Sequence, residues 1–66
     1  MKIVIKDEYG DGIAIETTFI EDDERGNVKA IELETFSESA ISAVLELEQI
    51  DEIIKALQKA REEIAR

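Results

Sequence analysis

The chain reads as an α+β domain, a four-stranded antiparallel meander (ββββα) with one C-terminal helix packed on one face of the sheet. Three observations predict it. Over the first 47 residues apolar and polar side chains alternate in four runs; over the last 19 the period changes to that of a helix; and every connection between runs is too short for a crossover. The 66 residues make one domain, 1–66, with strands at about 2–6, 13–20, 28–36 and 40–47 and a helix at about 48–65.

Lys2 to Lys6 (KIVIK) alternates cleanly, and Asp7 to Gly12 (DEYGDG) offers the glycines and aspartates of a turn. Ile13 to Ile20 (IAIETTFI) alternates again and is rich in β-branched residues, which completes a hairpin. The polar stretch Glu21 to Asn27 (EDDERGN) follows, with Gly26 and Asn27 as the positions suited to positive φ. It leads into Val28 to Phe36 (VKAIELETF), and Ser37 to Ser39 then turns the chain into Ala40 to Leu47 (AISAVLEL).

Register is predictable as well. Pairing residues whose numbers add to 18, 48 and 76 across the three hairpins gathers Ile3, Ile15, Leu33 and Ala43 in one row and Ile5, Ile13, Thr35 and Ile41 in the next. Thr17, Ile31 and Leu45, then Phe19, Lys29 and Leu47, continue that face. A slip of one residue in any hairpin would send its set to the other side, so agreement among three turns specifies this as the core face.

From Glu48 onward Ile50, Ile53, Ile54, Leu57, Ala60 and Ile64 form one stripe, and that stripe is expected to cover the sheet. Asp51 with Lys55 and Glu62 with Arg66 are spaced as i,i+4 ion pairs on the outside. No serine, threonine or asparagine precedes the first turn, so the N-cap reads as poor. Acids early in the helix (Glu48, Asp51, Glu52) and bases late (Lys59, Arg61, Arg66) complement its dipole. A strand running straight into such a helix, as over Ala40 to Ala65, recurs in many small viral, archaeal and designed domains and is too general to carry function.

Composition excludes more than it assigns. A chain this short buries only about 60% of its unfolded surface. With no cysteine and no histidine, neither a disulfide nor a common zinc site is available to reinforce it. Idealised packing or self-association must do so, and a homodimer is the first expectation. The net charge is −9, divided as −5 over residues 1–26 (eight acids, three bases), −3 over 27–47 (four, one) and −1 over 48–66 (five, four). Such a chain is repelled by phosphate backbones and anionic lipid, which argues against nucleic acid and membrane as direct partners. No apolar run approaches the roughly 20 residues of a membrane span and no signal segment precedes Lys6, so a cytoplasmic location is expected. Abundant isoleucine and glutamate suit a thermostable protein of thermophilic origin or a designed sequence with no defined activity.

Catalysis is not expected. Ser37, Ser39 and Ser42 have no base beside them, and a pocket of several hundred cubic ångströms is hard to build in so small a domain. Asp7 to Gly12 resembles the start of a calcium loop. Its third position is Tyr9, though, and its twelfth is Thr18, so a hairpin turn with Tyr9 packed over the sheet end is the better reading. Glu21, Asp22, Asp23 and Glu24 are adjacent acids on a turn and cannot all face one ion, so no metal, cofactor or small-molecule substrate is expected.

The remaining candidate is a surface. One helix covers one side of a sheet, which leaves the face of even-numbered residues to water, to a second copy or to another protein. It carries Val4, Ile20, Val28, Phe36 and Val44 as aliphatic and aromatic contacts and Glu16, Glu32, Glu34 and Glu46 as carboxylates, with Glu16 opposite Glu32 and Lys2 next in the row. Two functions follow. The first is an acidic, non-enzymatic structural or protein-interaction module, self-associating through this face. The second is an inhibitor whose carboxylates mimic nucleic acid and block a basic nuclease or DNA-binding protein, in the manner of anti-restriction and anti-CRISPR proteins.

Overall fold

The structure, a computed structural model, describes residues 1–66. Four strands, β1 (Lys2–Lys6), β2 (Gly12–Asp22), β3 (Gly26–Phe36) and β4 (Ala40–Leu45), precede one helix, α1 (Leu47–Ile64). The strands form a single antiparallel sheet in the order β1-β2-β3-β4, the meander expected from the short connections. All three registers are those the alternation predicts: Ile3 pairs with Ile15, Ile15 with Leu33, and Leu33 with Ala43.

The turns explain where the strands end. Between β1 and β2 the Asp7 carboxylate accepts from the backbone N–H of Tyr9 (2.8 Å) and of Asp11 (3.1 Å). Gly10 supplies the positive φ of 87°. This is an aspartate bonding its own turn, the reason such residues start turns. Between β2 and β3 the Asp22 carboxylate does the same for the N–H groups of Glu24 and Arg25. Gly26, at φ 74°, lets the chain re-enter the ladder directly opposite Asp22. β2 and β3 therefore run 11 residues each and their turn needs only residues 23–25, so the hairpin is longer than alternation alone indicates. Asn27 pairs with Glu21 inside the ladder and has no positive φ.

Gly12 is required for a different reason. A Cβ there would lie 1.9 Å from the Ile5 carbonyl oxygen, so no side chain fits between the paired strands. Tyr9 does not pack over the sheet end; it is 81% exposed, because the turn that positions it projects beyond the last ladder row.

β4 stops at Leu45 rather than at the expected residue 47, so the row of Phe19 and Lys29 does not extend to Leu47, which instead opens α1, with Glu46 as the N-cap in extended conformation (φ −83°, ψ 170°). The Gln49 side-chain oxygen accepts the Glu46 N–H at 3.2 Å, a capping-box arrangement that answers the weak cap inferred from the missing serine or threonine. The i,i+4 pairs Asp51–Lys55 and Glu62–Arg66 do not close, and the salt bridges present are both made by Arg25. Exposed pairs of long side chains gain little and lose rotamer freedom, so open geometry is unsurprising.

The helix meets the sheet through its first turns only. Ile50 and Ile53 are half-buried, whereas Ile54, Leu57 and Ile64 stand in the open and no helical residue is buried. The molecule is consequently elongated, 45 × 27 × 19 Å, with a radius of gyration of 14.1 Å where a compact chain of this length has about 11 Å. Only two residues are buried, Ala14 (7% exposed) and Ala30 (6%). Both are small side chains on the two inner strands and on the even-numbered face, not on the odd-numbered face expected to be the core, because the helix does not extend over the latter.

Candidate functional site

The strand pairing sorts side chains onto two faces, and the two differ chemically. Even-numbered strand positions carry Glu16, Asp22, Glu32 and Glu34, with Glu46 continuing the same face at the end of β4. Odd-numbered positions carry aliphatics, threonines, Phe19 and Lys29, and their one acid is Glu21 at the far end of β2. In a chain with 17 acids, this keeps all but one end of that face clear of negative charge.

Ile20, Val28 and Phe36 of the even face are half-buried, while Val4 and Val44 are exposed at 47% and 44%. Glu16 lies opposite Glu32 in the β2–β3 ladder, and Lys2 pairs with Glu16 from β1. At one end the Lys6 ammonium stands 5.7 Å from the centre of the Phe36 ring, in the row that Gly12 leaves without a side chain. The aliphatics and carboxylates named from the sequence thus share a face without forming one cluster. Val4 and Val44 sit on opposite edge strands in adjacent rows, Val4 with Ala14, Glu34 and Ser42, and Val44 with Glu32, Glu16 and Lys2.

The other end of the even face is organised by Arg25. Its guanidinium donates to both carboxylate oxygens of Glu46, at 2.6 and 3.3 Å, and to Asp22 at 3.1 Å. A fork of this kind matches carboxylate geometry. The Arg25 side chain holds the Glu46 carboxyl below its ordinary range. The backbone N–H of Arg25, then that of Glu24, then the Arg25 side chain hold the Asp22 carboxyl below its own. Glu46 and then Asp22 push the guanidinium further up. Of the acids at this turn, Asp22 is committed to the turn backbone and to Arg25. Sequence reading missed Arg25 and Gln49. The available signals were one base closing a run of four acids and the E-x-x-Q spacing of Glu46 and Gln49.

The odd face is the more open surface. Ile41 is 71% exposed, Phe19 63%, Ile5 57% and Ile3 43%. Where the sheet passes into the helix, Phe19, Ile31, Leu45 and Leu47 line an open groove of about 510 Å³ with Thr17 and Lys29 at its margin. So small a domain does present a cavity of several hundred cubic ångströms. It arises because the helix leaves this face bare. The groove holds no pair of groups suited to proton transfer or nucleophilic attack; it offers apolar area and one ammonium.

No helix is long and apolar enough to cross a membrane. Comparison of the chain with protein-family models, with curated proteins and with solved structures found no match.

Proposed function

We propose that the chain is a small, acidic, non-enzymatic interaction module of the cytoplasm that acts as a self-associated assembly. The observation that carries this is the surface left exposed. One copy exposes 5804 Å², whereas a folded monomer of its 7.4 kDa exposes about 4,200 Å². The excess, about 1,600 Å² per copy, exceeds what each partner buries in an ordinary stable complex, about 800 Å², and falls in the range of obligate homodimers. Much of it is apolar: the odd face and the helix stripe both stand in water.

The experiment is solution mass by light scattering at low and high salt. Twice the 7.4 kDa of one chain is expected, with association strengthened by salt, because each copy carries −9 and screening reduces the repulsion between copies. A 7.4 kDa species at all concentrations would refute the proposal.

The segregation of acids also favours a second reading, in which the even face imitates a phosphate array. Glu16, Glu32, Glu34 and Glu46 then engage a basic nuclease or DNA-binding protein, and salt weakens the complex. Calorimetric titration of such proteins at low ionic strength checks it, and absence of heat with every one of them refutes it. The two readings respond to salt with opposite signs.

A further inference from the structure

From the exposed helix stripe and the acid-poor sheet face we infer that two copies exchange their C-terminal helices, each α1 lying across the odd-numbered face of the other copy's sheet; the inference rests on the self-association proposed above. A helix and a sheet each have one apolar side, and the stable arrangement stacks the two as layers. Both halves of that stack are present in one copy, but they meet only at the first turns of the helix. Leu57 is 64% exposed and Ile64 85%, while Ile3, Ile5 and Ile41 stand uncovered on the sheet.

The junction explains why a helix does not close on its own sheet. Only Glu46 separates Leu45 of β4 from Leu47 of α1. Glu46 is held by the two hydrogen bonds from Arg25 and the one to Gln49. Connections between packed neighbouring elements usually take several residues. A one-residue connector fixed on the even side of the sheet cannot reverse the helix onto the odd side. A second copy supplies what the chain cannot reach. The exchange is reciprocal, so a two-fold axis relates the copies and the assembly closes at two.

Charge selects the same occupant. The odd face lacks acids apart from Glu21, so a helix of balanced charge, with five acids and four bases over residues 48–66, can lie there without facing carboxylates. The even faces, which hold the sheet's other acids, stay outward in such a dimer. Pairing the two odd faces directly would cover the sheets and leave both helix stripes in water, so it accounts for only part of the excess surface.

The test uses full-length chains. Leu57→Glu alters the stripe at a residue that touches little within one copy, and Ile3→Lys alters the sheet on its outermost strand. Each is expected to raise the dimer dissociation constant about a hundredfold, the effect of replacing a buried aliphatic by a charge at an interface. Mixing the two variants is expected to restore the dimer. One of the two exchanged contacts is then wild-type on both sides, and the other brings a lysine sheet to a glutamate helix. Restoration also shows that both variants fold. If the wild-type chain is a dimer and Leu57→Glu remains one, self-association stands and helix exchange is overturned. If both variants dissociate and the mixture stays monomeric, exchange is likewise overturned. If the wild-type chain is monomeric, the parent reading fails first.

Discussion

Gly12 and Gly26 are indispensable for opposite reasons, and substitution separates them. An alanine Cβ at Gly12 would strike the backbone carbonyl of Ile5, which cannot move without opening the β1–β2 ladder. Gly12→Ala is expected to cost more than about 2 kcal/mol in chemical denaturation, at the upper part of the range for overpacking. Gly26 has open space around it and needs only its left-handed backbone, so Gly26→Ala is expected to cost about 1 kcal/mol. Arg25 is the other decisive residue. Asp22 and Glu46 have depressed pKa values, so the stability they contribute with Arg25 is complete above the unfolded carboxylate range, about pH 4 to 4.5, and is lost as pH falls through the folded values. Arg25→Ala should therefore lower Tm at pH 7, and the difference from wild type should shrink as pH falls below about 4. A difference that stays constant with pH would mean that Arg25 acts through packing alone. Arg25 itself stays charged throughout that range, so it adds no pH dependence of its own.

At the scale of elements, the junction between β4 and α1 decides more than either element does. Alternation through Ala40 to Leu45 dictates a strand, and the stripe from Ile50 to Ile64 dictates a helix. Neither pattern says where the helix axis points. That direction is set by the extended torsions of Glu46 and by the hydrogen bonds that converge on it from Arg25 and Gln49. Removing the local bond by Gln49→Ala is expected to cost about 0.5 kcal/mol, the ordinary worth of half a capping box, and to leave the sheet unchanged by hydrogen exchange. Loss of protection confined to the first turn of α1 is the expected signature. Protection lost evenly along the helix would mean that it forms only as one unit with its contacts.

For the molecule as a whole, surface outweighs interior. Two buried alanines are not a hydrophobic core, and an elongated monomer of 66 residues would have little to offset its chain entropy. Stability is therefore expected to depend on concentration. In a folded dimer the melting temperature rises with each tenfold increase in protein, because association and folding are linked by mass action. Thermal scans over a hundredfold range of concentration check this, and a constant Tm would show that one copy is stable alone. Raised salt should act in the same direction as raised concentration, through screening of the −9 carried by each chain.

The sequence by itself determined the strands, their order, their pairing and the helix. Each depends on information carried locally: a period of two or 3.6, a glycine where φ must be positive, an aspartate able to bond its own turn. The sums of 18, 48 and 76 hold throughout the sheet because a one-residue slip would exchange its faces, and the acids at even positions reinforce that choice. Tertiary structure decided which face is left bare. The even face was open to expectation because a covering helix was assigned to the odd one; yet the helix leaves the odd face exposed after its first turns. That outcome depends on Arg25 reaching Glu46 across 21 positions of sequence and on the torsions of one connecting residue, and neither leaves a periodic signal in the chain.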